Sequence, residues 1–140
     1  MKEERGSAPI WFLGLALCVL MVGALSAELW RVLGERQDLS ALADSAAIAA
    51  ASAIDLEVYR STGELKLDPN EATDRALAVL AASSGGGRLS AAPVIQVDSA
   101  GLTVAVQLFR EVPFGLIRIL ALGDDRFEVT ASGLAYPTSP

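Results

Sequence analysis

Histidine is absent from the sequence, and cysteine occurs once, at Cys18. Without histidine there is no Ser-His-Asp triad, and a lone thiol inside an apolar run offers neither a nucleophile nor a zinc site with His or Cys ligands. No intramolecular disulfide can form, and Cys18 reads as a small apolar packing residue. Positive charge is scarce: from Glu28 onward nine basic residues face fifteen acidic ones, so the net charge of −6 lies entirely there. An acidic chain of this kind is a poor partner for nucleic acid or for anionic lipid heads. Gly85-Gly86-Gly87 lacks the Lys-Ser/Thr pair of a phosphate loop.

The carboxylates that remain read as structural. Asp124-Asp125 falls in a predicted turn, where Asp is locally favoured. Asp68, Glu71 and Asp74 belong to the first turns of a predicted helix, where negative charge suits the dipole. Glu28 follows directly on the apolar run; a polar residue there can mark function, or simply be the first residue in the headgroup zone. The expectation is a protein with no catalytic residues, no cofactor, no metal and no small-molecule substrate.

One further absence is informative. Ala8 to Ala27 carries no charge over 20 residues, about 30 Å of helix, which matches a bilayer's hydrocarbon core. Ile10, Trp11, Phe12, Leu13, Leu15, Leu17, Val19, Leu20, Val22 and Leu25 form its apolar body. Pro9 sits where a helix start tolerates it, and Gly14 and Gly23 are acceptable in a membrane helix. Trp11 and Trp30 lie at the two ends, as interfacial aromatics do. A retained single-pass anchor is favoured, with the lipid bilayer as partner. The alternative is a signal peptide cleaved near Ser26, which would release a small secreted binding module. A buried core helix is the weaker third reading, since a chain of 140 residues has little in which to bury it. Lys2, Arg5 and the N-terminal amine nearly balance Arg31 and Arg36. The N-terminus is placed in the cytoplasm and the acidic C-terminal part outside.

Beyond Ala27 the pattern stays helical to about Leu56. Glu28 and Arg31 are spaced i,i+3 and Arg31 and Glu35 i,i+4, as ion pairs on a helix are. Leu39, Leu42, Ala43, Ala46, Ala50 and Ala53 form one apolar stripe. Eight of the thirteen residues from Ala41 to Ala53 are alanine. That face either receives the chain's own domain or packs on other subunits. Tyr59 to Leu67 reads as a loop. Asp68-Pro69-Asn70-Glu71 predicts a capping box opening a helix over 69–83, with Ala72, Ala76, Val79 and Leu80 inward. Ser84 to Gly87 reads as a flexible link. Strands are predicted at Pro93–Asp98, at Leu102–Arg110 with Leu102, Val104, Val106 and Leu108 on one face, and at Arg126–Tyr136 with Phe127, Val129, Ala131, Gly133 and Ala135 inward. Pro113 to Leu122 reads as a short helix or turn. The fold class is therefore α+β and pilin-like: a long N-terminal helix, a second helix and a small antiparallel sheet of about three strands. The expected organisation is a charged head (1–7), a transmembrane helix (8–27), its Ala-rich continuation (28–56), a small extracytoplasmic domain (57–136) and a tail (137–140).

The order of Arg5-Gly6-Ser7, an apolar run, Glu28 and Arg31 at its exit, and an Ala-rich segment around Asp44 resembles the TadE/TadG-like family of Flp (tight adherence) pilus-assembly proteins. The resemblance covers roughly residues 4 to 55. It implies a membrane-anchored assembly or minor-pilin-like component, whose partners are other pilus-assembly or pilin subunits met through helix packing. Arg5, Gly6, Ser7, Glu28, Arg31, Asp44, Ala46, Ala47 and Ala50 are the motif and packing residues it points to. A prepilin-peptidase site would want Glu five residues after the glycine; after Gly6 that position is Trp11. This tilts the resemblance toward the TadG-like side, and the expectation is a short form without the large C-terminal domain of the longer members.

Overall fold

The computed structural model describes residues 8–113, 115 and 126–137. Helix α1 spans Ala8–Ala51, 44 residues and about 66 Å. Its first half is bare. The ten apolar residues from Ile10 to Leu25 named above are each 55–77 % exposed, on every side of the helix, so the chain's own domain does not cover them. The second half is the spine of the domain.

The helix stops at Ala51, short of the expected Leu56. Ser52 turns its hydroxyl onto the Ala49 carbonyl (2.6 Å), and the chain then pairs sideways, Asp55 N–H to the Lys66 carbonyl at 2.8 Å and Asp68 N–H to that of Ala53 at 2.9 Å. Arg75 closes the end of α1, donating from Nη1 to the Ser52 carbonyl at 2.9 Å. A cation at that end also suits the dipole. The expected loop from Tyr59 begins instead as helix α2, Leu56–Thr62. Asp55 is its N-cap, accepting from the N–H groups of Glu57 and Val58, and Gly63 ends it at φ 74°. A backbone there favours glycine.

Helix α3 is Pro69–Ala82, with Asp68 accepting from the N–H groups of Asn70 and Glu71. Only half of the capping box forms: the Asp68 N–H is taken by Ala53, and Glu71 holds Arg75 at 2.6 Å instead. Ala72, Ala76 and Leu80 face inward, and Val79 is half-buried. The predicted flexible link is a defined turn, Gly86–Arg88.

Three antiparallel strands follow in the order β1 (Val94–Val97), β2 (Val104–Pro113) and β3 (Arg126–Ala135). The α+β class is thus observed. Strand β2 starts later and runs further than expected: Leu102 lies exposed in the turn before it, and Arg110 and Val112 extend its inward face. On β3, Ala131, Gly133 and Ala135 are buried and Val129 is half-buried. Phe127, expected inward, is 53 % exposed, because it sits at the end of the sheet opposite Val112, beyond the packed centre. The expected helix or turn over 113–122 and the Asp124-Asp125 turn fall, but for Pro113 and Gly115, outside the described residues.

Helices lie on one face of the sheet. Leu39, Ala43, Ala46, Ala47 and Ala50 of α1 meet Leu80 of α3 and Val104, Val106 and Leu108 of β2 in one apolar core. Strand β3 crosses α1 almost backbone to backbone. A Cβ on Gly133 would stand 2.4 Å from the Ala43 carbonyl oxygen. Only glycine on the strand, against alanine on the helix, allows that approach.

Gly133→Ala is expected to cost about 1–3 kcal/mol, as overpacked cores do, because the clash is with backbone and no side chain can swing away. Ser132→Ala, one residue away on the exposed face, should stay within about 0.5 kcal/mol. Denaturant titration of both variants checks this; equal stability of the two would refute the close approach.

Candidate functional site at the helix–strand seam

The face of α1 that is apolar from Leu39 onward is charged one to three turns earlier. Glu28, Arg31 and Glu35 fall on that same face by helical spacing, and the far end of β2 is laid against them. Arg31 bridges two elements. Its Nη2 meets Glu28 Oε1 at 2.6 Å, and it also donates to the carbonyl of Pro113. Glu28 Oε1 in turn accepts the Gly115 N–H at 2.8 Å. The expected Glu28–Arg31 pair is present, and it ties the end of β2 to the end of the apolar run.

The expected Arg31–Glu35 pair is replaced. Glu35 Oε2 accepts from Arg110 Nη1 at 2.9 Å, and Arg88 stands 3.6 Å from the other carboxylate oxygen. Arg110 is the buried charge of the molecule's described residues, 3 % exposed. Its Nη2 donates to the Gly85 carbonyl at 3.0 Å, while its Nε has no protein partner. Burying a guanidinium is costly unless it is paired and hydrogen-bonded. Glu35 and Gly85 supply that compensation, which binds α1, β2 and the turn after α3 at one point. A shallow open groove of about 380 Å³ runs beside it, lined by Asp38, Leu42, Ser45, Ser84, Arg88 and Arg110 among others.

Arg110 was not among the predicted residues, although a signal for it exists. The alternation Val104, Val106, Leu108 continues onto residue 110, so the strand period places a charge inward. An inward charge needs a partner, and Glu35 is free once Arg31 has taken Glu28.

Electrostatics follow the geometry. The Arg31 hydrogen bond, and after it the Gly115 N–H, hold the Glu28 carboxyl below the usual carboxylate range, against a smaller opposing effect of desolvation. The same pairing raises the Arg31 guanidinium. Both groups stay charged and the seam keeps its ion pair.

The other predicted residues separate. Ala46, Ala47 and Ala50 are buried in the chain's own core. Asp44 is exposed on the far side of α1, beside Leu33, Arg36, Gln37, Ser40 and Ala41. Arg5, Gly6 and Ser7 lie outside the described residues. No group of three or more His, Cys, Asp or Glu side chains able to hold a metal occurs among the described residues.

Helix α1 is thus apolar and bare at one end and the spine of a small α+β domain at the other. Residues 6–53 match the model of the Tad family, Flp pilus-assembly TadE/G-like. The match spans the described α1 and stops two residues beyond it; Glu28, Arg31, Glu35 and Asp44 lie within it, and the sheet lies outside. No curated protein and no solved structure matches the chain.

Arg110→Met should lower stability by about 3 kcal/mol, the scale for breaking a buried pair from one side, and combination with Glu35→Gln should be non-additive by more than about 0.5 kcal/mol. Simple additivity in a double-mutant cycle would remove the coupling. For Glu28, whose pKa is depressed in the folded state, the contribution is present above the ordinary carboxylate pKa of about 4.3 and is lost as pH falls through the folded value. Protection of the Gly115 amide relative to its intrinsic exchange rate is therefore expected to fall only in acid, and in Glu28→Gln at any pH; unchanged protection in that variant would contradict the Glu28–Gly115 hydrogen bond.

Proposed function

We propose that the protein is a membrane-anchored, non-enzymatic assembly component of a Flp/Tad-type pilus or related secretion machine, with a minor-pilin-like role. The observation that carries this reading is the division of α1. Its family-matched segment begins with helix that the domain leaves uncovered and that is long and apolar enough to cross a membrane. Such a surface is unstable in water and stable in lipid. The N-terminus then lies in the cytoplasm, and the acidic domain is extracytoplasmic.

The small-residue face around Ala46, Ala47 and Ala50 is occupied internally, so other pilus subunits are met on the opposite side of α1. That side carries Leu33, Ser40, Ala41, Asp44 and the 67 % exposed Ile48. It offers a mixed strip, in which Leu33, Ala41 and Ile48 alternate with polar residues including Arg36 and Asp44. The motif residues thus divide into two groups: Glu28 and Arg31 hold the domain to its helix, and Asp44 faces outward.

Leu17→Arg puts a charge near the centre of the apolar segment and should cost about 2.5–3.5 kcal/mol on insertion scales, visible as loss of carbonate-resistant protein from the membrane fraction. Deleting the protein should abolish pili or surface attachment. Intact mass of the mature chain is the companion measurement. A species starting at Ala27 would replace the anchor with an export signal and leave a secreted binding module.

A further inference from the structure

We infer that the end of the sheet formed by Pro113, Gly115 and Phe127 rests in the headgroup layer of the same bilayer, so that the domain touches the membrane at a second place beside its helix. The inference depends on the anchor reading above. Its starting point is a level. Ala27 ends the uncharged run, and Arg31 lies four residues on, about 6 Å further along a helix. The headgroup region of one leaflet is about 5–8 Å deep. Whatever Glu28 and Arg31 grip is therefore held within that layer, and they grip the Gly115 N–H and the Pro113 carbonyl.

The register carries the level across the sheet. Pro113 pairs with Arg126 and Val112 with Phe127, so the start of β3 stands at the same height as the end of β2. Phe127 is 53 % exposed there, and Trp30 on the adjacent turn of α1 is 76 % exposed. The amphipathic ring of Trp30 suits the interface, and Phe127 adds an exposed apolar ring at the same end. The opposite end of the sheet, with Ser99 in the turn between β1 and β2, points away.

The sequence between the two strands agrees with that placement. From Phe114 to Gly123 the sequence carries one charge, Arg118. Among the described residues the cations at this end are paired, Arg31 with Glu28 and Arg126 with Glu111. The contact is accordingly apolar and indifferent to lipid charge, which an acidic domain requires.

Site-directed spin labelling of the full chain in phosphatidylcholine nanodiscs tests this. Labelling the native Cys18 reports the anchor. In a Cys18→Ala background, labels at Gly115→Cys and Phe127→Cys report the sheet end, and Ser99→Cys reports the far turn. Relative accessibility to oxygen over an aqueous nickel complex is expected to be several-fold higher at 115 and 127 than at 99. If either variant fails to fold by circular dichroism, Arg126→Cys takes its place. Values at 115 and 127 equal to that at 99, with Cys18 oxygen-accessible, overturn the second contact and leave the anchor standing. Nickel-accessible Cys18 overturns both.

Discussion

The passage of β3 across α1 at Gly133 and Ala43 is the contact on which the rest of the domain depends. A sheet of three strands has one apolar face to bury, and in this chain the helix must serve as its floor. Residues 39–51 of α1 present mainly alanine, which contributes little side-chain area per residue. Burial is effective only if the backbones come close enough for Val104, Val106 and Leu108 to reach past the alanines to Leu39 and Leu80. Glycine at position 133 permits that approach. The alanines are thus explained by the chain's own packing, before any partner is invoked.

A surface this smooth would let the sheet slide or rotate along the helix. The seam below it prevents this. Arg110 is directional where alanine is not: it must find Glu35 and the Gly85 carbonyl together, and only one register of β2 against α1 satisfies both. Removing a guanidinium from water contributes little net stability, but it penalises every alternative arrangement. Glu28 and Arg31 repeat the principle one turn lower with backbone groups of Pro113 and Gly115.

The consequence for function is geometric. Because α1 is unbroken from its bare apolar half to its core half, the orientation of the domain is set by the same helix that the anchor reading places in lipid. No linker stands between them. Movement of the apolar segment is transmitted to the sheet as rigid-body motion. The opposite side of α1, bearing Asp44 and Ile48, stays exposed.

The sequence by itself determined what local patterns can determine. The uncharged run, the α+β order of elements, the N-cap at Asp68, the apolar stripe through Leu39, Ala43, Ala46 and Ala50, and the Glu28–Arg31 pair all follow from spacing along one element. So did the part of the family pattern from Glu28 to Asp44, since it lies within a single helix. Tertiary structure decided the rest, wherever a group had to choose between partners remote in sequence. Glu35 pairs with a residue 75 positions away in place of its helical neighbour Arg31. The Asp68 N–H goes to Ala53 in place of Glu71, Phe127 lies past the edge of the core although its strand parity points inward, and α1 ends where the chain finds cross-pairing at Lys66. Alternation assigns a side chain to a face, but it does not say how far along the strand the opposing surface extends. That length is set by where α1 runs beneath the sheet, a quantity no local pattern contains.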